Sequence, residues 1–144
     1  MPFWDASAVV PLLMEEAWSR ELSERVELDE ELSVWWGTRV EAVSAIRRRE
    51  RVGEVDADGA RESLKLLDRL ATAWVELQPS AAVRTTAERL LAVHPLRAAD
   101  AFQLAAAMAW RRDPLRPAGF VCFDERLRDA AAREGFQLSP EAIG

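Results

Sequence analysis

Apolar residues follow two rhythms along the chain. Over 57–73 they recur every three or four positions, so that Leu64, Leu67, Ala71 and the following Trp74 fall on one side of a helix. The same spacing predicts helices over 39–51, 81–93, 97–111 and 125–133, and 6–13 is helix-prone. Between them lie short runs of β-branched or aromatic residues at 3–4, 32–36, 74–77 and 119–123, with a weaker one at 136–138. Short strands alternating with helices of this length predict βαβ units, hence parallel strands joined by right-handed crossovers and covered on both faces. The expected class is α/β, three α/β/α layers around a central parallel sheet of four to five strands.

No repeat, low-complexity tract or Gly/Ser linker interrupts this pattern, so residues 1–144 read as a single domain. With 49% hydrophobic and 31% charged residues the chain fits neither the disordered nor the membrane class, and no apolar run approaches bilayer length. The acid at position 5, with no basic segment ahead of the first apolar run, argues against a secretory signal and makes the cytoplasm the expected compartment. One cysteine and one histidine leave no basis for a zinc site or an internal disulfide. Cys122, between Val121 and Phe123, reads as a small buried hydrophobe, and His94, ahead of Pro95, as a loop or cap residue rather than a general base.

Parallel sheets collect their active sites outside the carboxyl ends of the strands. Four acids fall there. Asp5 leaves the first strand inside an apolar stretch, Asp124 ends the run 119–123, and Glu41 comes early in the helix after the second strand. Asp100 lies in LRAADAFQLAAAMAW, sharing a helix face with Leu96, Leu104, Ala107 and Met108, so that its carboxylate is expected to point into packed protein. Each also has a structural reading: Asp5 and Asp124 as N-caps, Asp100 as a first-turn acid on the helix dipole, and Glu41 in a capping box with Thr38. Convergence is what the structural readings leave out. Carboxylates gathered at one edge repel one another unless hard cations neutralise them, and an oxygen-only ligand set suits Mg²⁺ or Mn²⁺ and phosphodiester hydrolysis.

In chain order these segments resemble the motifs of PIN-domain ribonucleases of the kind that serve as toxins in VapBC toxin–antitoxin pairs. WDASAVVPLL is similar to the opening strand of that family, WWGTRVEAVSAIRRRER to its second motif, HPLRAADAFQLAAAMAW to its third and GFVCFDERLRDAAAREGF to its fourth. The resemblance implies a PIN-like fold and Mg²⁺- or Mn²⁺-dependent endonucleolytic cleavage of RNA. It implies Asp5, Glu41, Asp100 and Asp124 as catalytic metal-binding acids, with Ser7 supporting the first. It also implies a homodimer and a cognate antitoxin that covers the site. Where the family often carries a His three residues after the third-motif Asp this chain has Gln103, and where it often has Thr or Ser two residues before the fourth-motif Asp this chain has Cys122. Gln103 keeps a hydrogen-bonding side chain; Cys122 replaces a hydroxyl poorly.

The expected mechanism has Asp5, Glu41 and Asp100 holding a metal ion that polarises the scissile phosphate, with Asp124 placing a second ion or the attacking water. A net charge of -6 is the wrong sign for bulk attraction to phosphates, although acids gathered in one metal-binding site account for much of the excess. Candidate phosphate contacts are Arg47, Arg48 and Arg97, together with Arg49, Arg51, Arg111, Arg112 and Arg116, against a reading of all of them as solvated helix surface. Trp35 and Trp36 are either core or base-stacking residues. A catalytically silent PIN-like module that binds RNA or protein is the competing reading. A small-molecule phosphohydrolase is disfavoured, since no second acid follows Asp5 by two residues.

Overall fold

A computed structural model describes residues 2–27 and 31–143. Strands β1 (Phe3–Trp4), β2 (Ser33–Trp35), β3 (Val75–Leu77), β4 (Gly119–Val121) and β5 (Gln137–Ser139) form one parallel sheet in the order β3-β2-β1-β4-β5. The first strand in the chain is thus the middle strand of the sheet. Phe3 stands opposite Ser33 on one side and Phe120 on the other, and Trp4 opposite Val121.

Alternation along the strands sorts the core into two halves. Phe3, Trp35 and Phe120 point to one face, against helices α5 (Ala81–Val93), α6 (Ala98–Arg111) and α7 (Glu125–Arg133). Trp4, Val34 and Val121 point to the other, against α1 (Ala6–Val9), α2 (Ser19–Glu27), α3 (Thr38–Arg51) and α4 (Ala57–Ala73). Helices on both faces of a parallel sheet make the three α/β/α layers that the hydrophobic rhythm predicts.

Helix starts follow local chemistry. Asp56, Ser80 and Asp124 cap α4, α5 and α7, each side chain accepting the backbone N–H three residues on, from Gly59, Val83 and Leu127. The boundaries expected for these three helices therefore match. The run 6–13 divides into α1 and a 3-10 turn at Val10–Leu12, tightened around Pro11. Helix α2 was not expected, because its sequence SRELSERVE is almost wholly polar and only Leu22 in it is buried. The recurrence of Trp18, Leu22 and Val26 every four residues is the signal that identifies it. The strands are shorter than the apolar runs that predict them: Leu32 and Trp36 flank β2 without belonging to it, and Cys122 and Phe123 follow β4. Among the described residues no helix is long and apolar enough to cross a membrane.

At the carboxyl end of β2 the two tryptophans part. Trp35 is buried and stacks on Phe102 of α6, with ring centroids 5.4 Å apart and planes 3° from parallel. Trp36, past the last strand residue, is 51% exposed. Gly37 makes the next turn possible, since a Cβ there would lie 2.5 Å from Trp35 Nε1.

Candidate active site

Asp5 leaves β1 at the sheet's carboxyl edge, its N–H bonded to the Val121 carbonyl at 2.9 Å. It caps α1 as well as lying at the site: its Oδ2 accepts the Ser7 N–H at 3.1 Å and the Ser7 hydroxyl at 2.5 Å. Ser7 Oγ in turn accepts the Phe123 N–H at 2.9 Å, which ties the exit of β1 to the exit of β4. Cys122 Sγ lies 3.6 Å from Asp5 Oδ2, so the thiol occupies the neighbourhood expected for a hydroxyl. Asp5 is only 4% exposed, and burial pushes its pKa up to about 6 against the opposing pull of the Ser7 hydrogen bonds, with repulsion from Asp100 adding to the rise.

Glu41 is not half of a capping box. Helix α3 is capped by Gly37 without a side-chain hydrogen bond, and Thr38 sits fully buried as the first helical residue. Gln103, fully buried on α6, joins these groups by donating from Nε2 to Thr38 Oγ1 at 2.9 Å and to Glu41 Oε2 at 2.6 Å. Its Oε1 is buried with no hydrogen-bond partner. Burial pushes the Glu41 pKa up to about 7; the Gln103 bond opposes this, while Asp5 and Asp100 add to it by repulsion.

Asp100 departs from expectation in its surroundings. Its helix neighbours Leu104 and Ala107 are buried, but its own side chain is half-buried and lines an open cavity of about 790 Å³ instead of entering packed protein. Burial raises its pKa, as does repulsion from Asp124, against the Arg97 backbone N–H and the Arg97 and Arg126 charges. Glu41 and Asp124 line the same cavity. Asp124 is exposed, and its Oδ1 caps α7 through the Leu127 N–H at 2.9 Å. The four acids, from four elements, are therefore linked by repulsion: Asp5 with Glu41 and Asp100, Glu41 with Asp100, and Asp100 with Asp124.

Of the arginines, Arg48 and Arg97 line the cavity, joined by Arg126, which the sequence did not single out. Arg126 lies two residues after Asp124 with no local feature to separate it from other helix-surface arginines. Arg47 is instead bonded to Glu50 on its own helix at 2.9 Å, and Arg49 pairs with Glu16 and Glu54. Arg111 does not serve as a phosphate contact. It is 2% exposed, donates to the Glu134 carbonyl at 2.9 Å and lies 4.2 Å over the Phe136 ring. His94 is the C-cap residue of α5, its backbone N–H bonded to the Leu90 carbonyl, and its Nε2 lies 2.7 Å from Glu134 Oε2.

The donor chemistry suits a hard divalent cation. The acids supply oxygen ligands only, and three carboxyl groups held above their ordinary pKa by burial and repulsion are the groups a cation relieves. Among the described residues, however, no group of three or more His, Cys, Asp or Glu side chains is arranged to hold a metal ion as placed. No protein-family model matches the chain, and no curated protein matches it.

Proposed function

We propose that this protein is a Mg²⁺- or Mn²⁺-dependent endoribonuclease of the PIN type, acting in the cytoplasm as the toxin of a VapBC-like pair, as a homodimer held in check by a cognate antitoxin. The observation that carries the reading is the meeting of Asp5, Glu41, Asp100 and Asp124 at the carboxyl edge of a parallel sheet, with arginines on the wall of the cavity that Glu41, Asp100 and Asp124 line.

Asp5, Glu41, Asp100 and Asp124 are the residues that would hold the cation. When bound it supplies Lewis-acid polarisation of the scissile phosphate and a lowered pKa for the attacking water. The protein's own groups prepare that chemistry. Ser7 fixes the Asp5 carboxylate through two hydrogen bonds, and Gln103 fixes Glu41 against α6. Arg48, Arg97 and Arg126 on the cavity wall draw the RNA backbone toward a floor that would otherwise repel it.

A second reading, a silent module that binds RNA or protein without cutting, is favoured by one observation: no three potential ligand groups among the described residues are arranged to hold an ion as placed. Incubating the protein with mixed RNA in Mn²⁺ and in EDTA separates the two. Fragments that need Mn²⁺ and vanish in Asp5→Ala and Asp100→Ala support the nuclease. Cleavage that persists in those variants excludes it, and tight RNA binding without fragments favours the silent module.

A further inference from the structure

We propose that Trp36 is a stacking platform for one unpaired base of single-stranded RNA, seating that base at the sheet edge beside the cavity lined by Glu41, Asp100 and Asp124. The proposal rests on the nuclease reading and adds to it the form of the substrate. Trp36 stands in the turn between β2 and α3, at the sheet edge where the four acids gather. An indole 51% exposed at that edge is held in place from below. Its ring packs edge-on to Trp35 at 6.4 Å, and Trp35 is stacked on Phe102. The row of rings runs back to α6 two residues past Asp100, so the exposed indole is braced by the element that carries one of the acids.

From Trp36 the chain runs through Gly37 into α3, whose first turn reaches the cavity. Val40, four residues on and 69% exposed, is itself part of the wall of the 790 Å³ cavity, beside Glu41. The same wall carries Arg48, Arg97 and Arg126. A planar apolar face next to guanidinium groups matches the two parts of a nucleotide, a base to stack and a phosphate to pair. A protein helix would need a far broader apolar face, on the order of 800 Å² per partner for a standard interface. Trp36 and Val40 are only two side chains, and other exposed large apolar residues lie on other elements, such as Val75 in β3 and Leu91 in α5. Every base has a stacking face, so the platform selects unpaired RNA over duplex without selecting one base.

The test measures binding of a short fluorescent single-stranded oligoribonucleotide in Ca²⁺, alongside cleavage of the same strand in Mn²⁺. Trp36→Leu should weaken binding by roughly 5- to 150-fold, the range set by one base–aromatic stack, and Trp36→Phe should stay within about threefold of wild type because it keeps a ring. Abasic riboses placed in turn along the strand should reveal one position that weakens wild-type binding by a similar factor and has little further effect on Trp36→Leu. Equal affinity of wild type and Trp36→Leu for the intact strand overturns the proposal and leaves the ring to a protein contact, while cleavage by both keeps the nuclease reading. A wild-type protein that neither binds nor cuts RNA removes the nuclease reading, and this proposal with it.

Discussion

Gln103 Nε2 lies 2.6 Å from Glu41 Oε2 and 2.9 Å from Thr38 Oγ1, so one buried amide from α6 holds the first turn of α3 and its carboxylate together. The other end of that amide has no partner. Gln103→Leu removes the orphaned acceptor but leaves the buried Thr38 hydroxyl without this partner, so stability should fall by about 1–3 kcal/mol while Mn²⁺ affinity falls by roughly 10- to 100-fold, as on losing a group that orients a metal ligand. Calorimetric titration with Mn²⁺ checks this; unchanged affinity would mean that Gln103 does no more than pack.

Asp5→Asn keeps an acceptor for the Ser7 N–H and removes a buried charge that its neighbours repel. Asp100→Asn relieves the same cluster from the other side. Each should raise the melting temperature of the metal-free protein by about 2–4 °C per kcal/mol of repulsion removed, and each should abolish RNA cleavage. A clear fall in the melting temperature of both variants would contradict mutual repulsion within the cluster.

The pH dependence has a definite sign. Asp5 and Glu41 have folded pKa values of about 6 and about 7, above their ordinary values of 3.8 and 4.5. Over that interval the folded protein binds protons that the unfolded chain releases, so metal-free stability falls as pH rises. Glu134, lowered by His94 and Arg89, loses its contribution only as pH falls below the ordinary carboxylate value, outside this window. Thermal melts in EDTA should therefore give a higher midpoint near pH 5 than near pH 7.5, and saturating Mn²⁺ should reverse the order.

Arg48 and Arg97 line the cavity, whereas Arg47 is engaged with Glu50 on its own helix. Arg97→Ala and Arg48→Ala should each weaken single-strand binding and reduce the slope of log affinity against log salt by about 0.7, with Arg47→Ala close to wild type. Three equal slopes would show that RNA does not approach over this wall.

Arg112, just past α6, has φ 66° and ψ -65°, closed by a bond from the Asp113 N–H to the Arg111 carbonyl at 2.8 Å. This three-residue turn is strained for any residue with a Cβ. Arg112→Gly should raise stability by about 1 kcal/mol, measured by chemical denaturation.

The parts of the fold legible in the sequence are those decided locally. Helices α4, α5 and α7 were readable because Asp56, Ser80 and Asp124 mark their first turns. Strand limits were not, because pairing sets where β2 and β4 stop, and an apolar run of five such as 32–36 says nothing about its partner. In the site, Asp5, Glu41 and Asp124 stood out in the sequence by their positions after strands, and Asp100 by its place in an apolar helix. Their surroundings were not: Asp100 and the first turn of α3 depend on what α6 and α3 bring to each other, and Thr38 looked like a cap until Gln103 was seen to claim it. Trp35 and Trp36 are identical neighbours in sequence, and only the end of β2 between them separates core from surface.

The central place of β1 also governs how the molecule is made. Phe3 and Trp4 are synthesised more than a hundred residues ahead of one of the strands that flanks them, Gly119–Val121. At roughly 5–20 residues per second the nascent chain spends several seconds with that flank of its first strand uncovered. Asp100 and Asp124 emerge late in the same interval. A nascent chain that has not yet reached β4 thus has neither the complete sheet nor the complete set of acids, and the carboxyl edge takes form only once Asp124 has been added.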